Sequence, residues 1–121
     1  MLKHKYLIFL IIILAFSCDS VKKNKKSYFS GKIIKKTNDK ISLLKDQVIL
    51  KESYVSQDGT FYMGLDSIKD GLYNFKHLPE FQYLIIENGD SLVLRLNSVD
   101  FDESLVFTGT GSPKNNYLID I

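Results

Sequence analysis

Phe81-Gln82-Tyr83-Leu84-Ile85-Ile86-Glu87, Asn88-Gly89-Asp90, Ser91-Leu92-Val93-Leu94-Arg95-Leu96-Asn97: these seventeen residues read as two extended arms about one turn. The second arm alternates. Leu92, Leu94 and Leu96 fall on one side, Ser91, Arg95 and Asn97 on the other, and Val93 is the one apolar residue on the polar side. Period two is the signature of a strand with one face buried. The first arm is apolar almost throughout, as in a strand covered on both faces, so a central position is expected for it. Asn-Gly supplies the positive φ that a tight turn requires, so the two arms are expected to pair as a hairpin.

The same period continues towards the N-terminus. In Tyr28 to Lys36, Phe29, Gly31 and Ile33 share one face, and Ser30 and Lys32 the other. Ile41 to Leu44 and Val48 to Val55 are further strands. Gln57-Asp58-Gly59-Thr60 is a turn leading into Phe61-Tyr62-Met63, and Asp70-Gly71 opens Leu72 to Phe75. Leu78-Pro79-Glu80 is a connection, because proline cannot donate to a ladder. Leu105-Val106-Phe107 is a last short strand. Short strands at this spacing give an all-β domain over residues 28–111, a small antiparallel β-sandwich or open barrel of about seven strands. Residues 112–121 change character. Ser112 suits an N-cap and Pro113 the first helical position, with Tyr117, Leu118 and Ile121 on one stripe, so a short helix start is expected there.

The chain has 121 residues, enough for one small domain, with ordinary apolar and charged fractions. Sixteen basic residues against fourteen acidic ones give +2, but the charge is uneven. Lys22, Lys23, Lys25 and Lys26 cluster, whereas from Ser27 onward ten basic residues face thirteen acidic ones. A slightly acidic domain lacks the basic face that nucleic-acid binding needs. A single cysteine rules out a disulfide within the chain, so the fold must rest on its apolar core.

The first residues explain that cysteine. Lys3, His4 and Lys5 form a basic start, and Tyr6 to Phe16 is an eleven-residue uncharged apolar run. The run is too short to span ~30 Å of bilayer but has the length of an export signal. Ser17 and Cys18 come next, and then the chain turns polar. Leu14-Ala15-Phe16-Ser17-Cys18 resembles the lipobox of bacterial lipoproteins, departing from it at Ala15 and at bulky Phe16. Residues 1–17 are therefore expected to form a signal helix that is cleaved, and Cys18 to carry the lipid that ties the protein to a membrane. An uncleaved anchor and an ordinary signal with an incidental cysteine are the competing readings. Residues 18–27 are then a lysine-rich tether. Surface-export signals of Bacteroidota lipoproteins look acidic after the cysteine. This tether is basic apart from Asp19, so an inner- or outer-membrane anchor facing the periplasm is expected.

Little else carries chemistry. The chain has no CxxC, HExxH or GxSxG. Gly109-Thr110-Gly111-Ser112 lacks the lysine of a phosphate loop and reads as a strand-to-helix turn. His77 is expected on a surface loop rather than as a ligand. Asp100, Asp102 and Glu103 have spacing unlike a calcium loop and read as a solvated turn. Tyr28, Tyr54, Tyr62, Tyr73 and Tyr83 are expected as half-buried strand residues, the alternative being one carbohydrate-stacking face. No catalytic residue, metal or cofactor is expected.

Five segments keep a particular order: Tyr28-Phe29-Ser30-Gly31-Lys32-Ile33, Asp58-Gly59-Thr60-Phe61, Gly71-Leu72-Tyr73, Ile86-Glu87-Asn88-Gly89-Asp90-Ser91-Leu92, and Gly109 to Tyr117. Over Tyr28 to Tyr117 the chain resembles the N-terminal β-domain, of unknown function, that precedes the thioredoxin-like domain in Bacteroidota lipoproteins of the TlpA/ResA type. The resemblance implies a non-catalytic binding or positioning module whose partner is an envelope protein or a C-terminal thioredoxin-like domain. It also implies a helical linker starting near Ser112. No residue of this chain matches the family's redox pair, so no reductase role transfers to any position. Two alternatives stay open: the amino-terminal part of a thiol–disulfide oxidoreductase, and a carbohydrate-binding envelope lipoprotein.

Overall fold

The computed structural model describes residues 25–121. The expected signal segment, Cys18 and the first part of the expected tether lie outside the described residues. Among the described residues eight strands form a β-sandwich of two four-stranded sheets. They are β1 (Ser27–Ile34), β2 (Lys40–Lys45), β3 (Val48–Tyr54), β4 (Thr60–Leu65), β5 (Gly71–His77), β6 (Glu80–Ile86), β7 (Ser91–Asn97) and β8 (Val106–Gly109). One sheet has the order β4-β1-β7-β8 and the other β3-β2-β5-β6. A 3-10 turn at Ser98–Asp100 and the single helical turn α1 (Phe101–Ser104) precede β8, and α2 (Ser112–Asp120) succeeds it.

The alternation read from the sequence sets what faces inward. Phe29 and Ile33 of β1, Met63 of β4, Leu92, Leu94 and Leu96 of β7 and Phe107 of β8 meet Ile41, Leu43, Phe75, Leu84 and Ile86 of the opposite sheet. Phe29 sits at the centre, its ring 5.2 Å from Phe61 and 5.8 Å from Phe75. Phe101 and Leu105 are buried in the same core from α1 and the loop after it. Every buried residue of this core lies between Phe29 and Phe107, with Ile119 of α2 packed against it from outside.

Two expectations about pairing are corrected. The arms on either side of Asn88-Gly89 do not form a hairpin: β6 and β7 belong to different sheets. The turn does form, with Gly89 at φ +90° and the Asp90 amide donating to the Glu87 carbonyl at 2.9 Å. Beyond the turn the chain pairs with β1 instead of folding back on β6. The Gly89 amide donates to Ser27 Oγ and the Tyr28 amide to the Asp90 carbonyl, after which β7 pairs with β1 in parallel from Tyr28↔Ser91 to Ile34↔Asn97. The sandwich is therefore not purely antiparallel.

Nor is β6 central. It is the edge of its sheet, because its apolar residues divide between two faces: Leu84 and Ile86 point inward, whereas Phe81 and Tyr83 are 55% and 50% exposed. The helix also differs in detail. Gly111, at φ +87°, is the residue before the first helical position, Ser112 is already helical, and no side chain caps the end. Its buried side is Asn115, while Tyr117 and Ile121 are exposed, so the stripe expected from Tyr117, Leu118 and Ile121 does not face the core.

Candidate functional site

A sandwich has two open flanks, each showing one edge strand from either sheet, and unpaired edges must be covered or blunted. Here α2 closes the β6/β8 flank with two consecutive asparagines. Asn115 Oδ1 accepts from the Ile85 amide at 2.6 Å, and its Nδ2 donates to the Ile85 carbonyl at 2.8 Å. Asn116 does the same on β8, accepting from the Phe107 amide and donating to the Phe107 carbonyl, both at 2.8 Å. Each carboxamide stands in for one residue of a further strand. The helix is pinned at its start by Lys114, whose ammonium reaches Asp90 at 2.5 Å and Glu87 at 3.1 Å. Burial alone would lower the Lys114 ammonium, but the two carboxylates outweigh it and hold it above its ordinary value.

Among the described residues no helix covers the opposite flank, between β3 and β4. The β2–β3 hairpin turns at Asp46 and Gln47, both at positive φ as a two-residue primed turn demands, and a bulge at Leu43/Leu44 offsets β3. On this flank an open cleft of about 490 Å³ lies between Leu50 and Lys51 on one wall and Gly64 to Lys69 on the other. Lys45, Lys51 and Lys69 line it with Ile68, Tyr73 and one carboxylate, Asp66. Lys45 Nζ lies 4.5 Å from the Tyr73 ring centroid and donates to the Leu72 carbonyl at 3.3 Å. Lys51 Nζ donates to the Gly64 carbonyl at 2.7 Å, and the Tyr73 hydroxyl to the Lys69 carbonyl at 2.5 Å. Burial raises the Tyr73 hydroxyl above its ordinary value. Among the described residues none of the three lysines has an ion-pair partner.

The described chain begins at this same end of the sandwich. Ser27 pairs with Leu65, and Lys26 Nζ stands 3.9 Å from Asp66 at the lip of the cleft. The Lys25 amide donates to Asn88 Oδ1, fastening the tether to the β6–β7 turn.

No protein-family model, curated protein or solved structure matches the chain.

The residues singled out in the sequence are dispersed. Tyr28 and Tyr62 lie together on the outside of the β4-β1-β7-β8 sheet, their rings 5.7 Å apart. Tyr54 and Tyr83 are exposed on strands at opposite edges of the other sheet, and Tyr73 is in the core. The five tyrosines thus share no face. The outer side of β5 and β6 instead carries Leu72, Asn74, Lys76, Phe81 and Tyr83 around a groove, with Phe81 and Tyr83 edge to face at 6.2 Å. Asp100, Asp102 and Glu103 are exposed around α1, and among the described residues no group of His, Cys, Asp and Glu is placed to hold a metal ion. Gly109 to Ser112 makes the turn from β8 into α2, as expected.

His77 is a further correction. It is the last residue of β5 and fully buried, not a surface loop residue. Its Nε2 accepts from the Thr37 amide at 3.1 Å, and Nδ1 lies 3.2 Å from the Lys40 carbonyl, to which the Nδ1–H tautomer donates. Adjacent Leu78-Pro79 suggests exposure, but the turn keeps the inward parity of β5 through position 77. Burial holds the imidazole below its ordinary value of 6.5. The unfolded chain then takes up a proton at higher pH than the native one. The contribution to stability is complete above about pH 6.5 and falls as pH drops from there through the native value. His77→Gln is expected to flatten that slope in urea melts between pH 7.5 and 5. An identical slope in the variant would refute the assignment.

Proposed function

We propose that this chain is a lipid-anchored lipoprotein of the cell envelope whose β-sandwich is a non-catalytic module that binds or positions a partner beside the membrane. The observation that carries the reading is the place of Cys18. The only cysteine ends a basic start and an eleven-residue apolar run, and the first strand begins nine residues later, at Ser27. Two or more acyl chains on that residue hold a protein stably to a bilayer. Nine residues of tether reach about 30 Å when extended, which keeps the sandwich close to the surface.

The geometry of the domain is in keeping with positioning. The tether enters beside the β6–β7 turn, where α2 also begins, and α2 then runs along the β6 and β8 edges away from that end. The domain therefore acts as a rigid spacer between membrane and the tip of α2. The resemblance over Tyr28 to Tyr117 to domains that precede thioredoxin-like reductases supports the same role, the partner being an envelope protein or a redox domain. The reading is tested by growing cells on a labelled fatty acid. The native chain takes up label in the membrane fraction, and Cys18→Ala loses the label and retains residues 1–17. A native chain without label would overturn it.

A further inference from the structure

The cleft between β3 and β4 has a chemistry that the positioning role does not use. We propose that it is a binding site for the anionic phosphate headgroup of a phospholipid in the membrane that holds the protein, an inference that rests on the lipid-anchor reading of Cys18. Its volume of about 490 Å³ is that of a small-ligand site. Three lysines line it from three separate elements: Lys45 from the end of β2, Lys51 from β3 and Lys69 from the β4–β5 loop. Lys45 and Lys51 are held by backbone carbonyls, which orient an ammonium without neutralising it. The one lining carboxylate, Asp66, leans towards Lys26, and neighbouring Asp70 points elsewhere, accepting from the Asn88 amide at 2.6 Å. Among the described residues the cleft thus presents uncompensated positive charge over the apolar surface of Leu50 and Ile68. An anion joined to an apolar stem satisfies both.

The location selects the source. Lys26, the last tether residue before β1, stands at the lip, and Cys18 is eight residues behind it. At ~3.3–3.6 Å per residue the lip lies within about 30 Å of the bilayer. So short a link places headgroups at an effective concentration of order millimolar, enough to fill a weak site. Occupancy would orient the sandwich with its tether end down and the tip of α2 outward.

The test uses residues 18–121 with Cys18→Ser, which retain the whole core and carry no lipid of their own. Amide resonances are tracked during titration with dihexanoyl phosphatidylglycerol below its micelle concentration, with dihexanoyl phosphatidylcholine, and with inorganic phosphate. The expected result is saturable shifts at Leu50, Ser67 and Ile68 with phosphatidylglycerol alone. Binding weakens roughly fivefold for each of Lys45→Gln, Lys51→Gln and Lys69→Gln, with unchanged melting temperatures. Equal response to both lipids, phosphate binding as tight as phosphatidylglycerol, or no shift at these residues would each overturn the proposal. The anchor is judged separately by the fatty-acid label. Label without cleft binding removes only this proposal, and cleft binding without label removes the anchor.

Discussion

Asn115→Ala with Asn116→Ala is expected to lower the unfolding free energy of the domain by about 4 kcal/mol, read as a shift of the urea midpoint without change of slope. Each side chain satisfies both backbone groups of one edge residue, Ile85 on β6 and Phe107 on β8. Asn115 is fully buried and also donates to the Gly111 carbonyl at 3.0 Å, so alanine leaves three backbone groups without their partner there. A buried group stripped of its partner costs about 1–3 kcal/mol. These hydrogen bonds are only part-buried, which puts each group near the low end of that range. Small domains have only about 5–15 kcal/mol to lose, so the loss is severe. Tyr117→Ala on the same helix is the control. Its ring is 71% exposed, and a change within about 0.5 kcal/mol is expected. If the double asparagine variant melted like the Tyr117 variant, α2 would not be closing the sandwich.

Gly31→Ala is the second large effect, with an expected loss of about 3 kcal/mol or more. Gly31 sits in β1 opposite Leu94 in the parallel pair with β7. A methyl group built on it overlaps the Leu94 carbonyl oxygen and crowds the Leu94 Cβ. The obstacle is backbone in the centre of a sheet, so relief requires β1 and β7 to separate, and Phe29, Ile33, Leu92 and Leu96 move with them. Gly64→Ala provides the contrast. Its methyl meets Lys26 Cε at 3.2 Å, the far part of a flexible and exposed side chain, and comes no nearer than ordinary contact to Lys26 Nζ and the Tyr62 hydroxyl. A loss of about 1 kcal/mol or less is expected there. Equal melting of the two variants would mean that the close approach of β1 to β7 does not hold in solution.

The strands are legible in the sequence because alternation is local. Phe29 and Ile33, or Leu92, Leu94 and Leu96, announce which way they face without reference to the rest of the chain. Asp58-Gly59 is legible for the same reason. Gly59 takes φ +88°, and the Asp58 carboxylate accepts from Ser56 Oγ, the Thr60 amide and Thr60 Oγ1, bonds that hold it down at about 2. Pairing is not legible at Asn88-Gly89, where the turn chemistry is right but the choice of neighbour lies with β1, about sixty residues earlier in the chain. Phe81 to Glu87 misleads because continuous apolarity fits a covered strand as well as an edge strand with an exposed aromatic face.

The cleft is harder still to foresee. Lys45, Lys51 and Lys69 carry no common motif, and they come from β2, β3 and the β4–β5 loop, so only the tertiary fold brings them to one cleft. Asn115-Asn116 read as ordinary polar helix residues, although two adjacent carboxamides reaching the edges of two different sheets are what close one flank. His77 could have been placed inward by extending the parity of Tyr73 and Phe75 two residues further.

The lipid anchor stands or falls on the first residue of the protein as the cell holds it. Intact-mass spectrometry of the chain extracted from native membranes, with sequencing of its N-terminal peptide, decides that. An N-terminus at Cys18 bearing a thioether-linked diacylglycerol is expected. An N-terminus elsewhere, or an unmodified Cys18 thiol, would contradict the anchor.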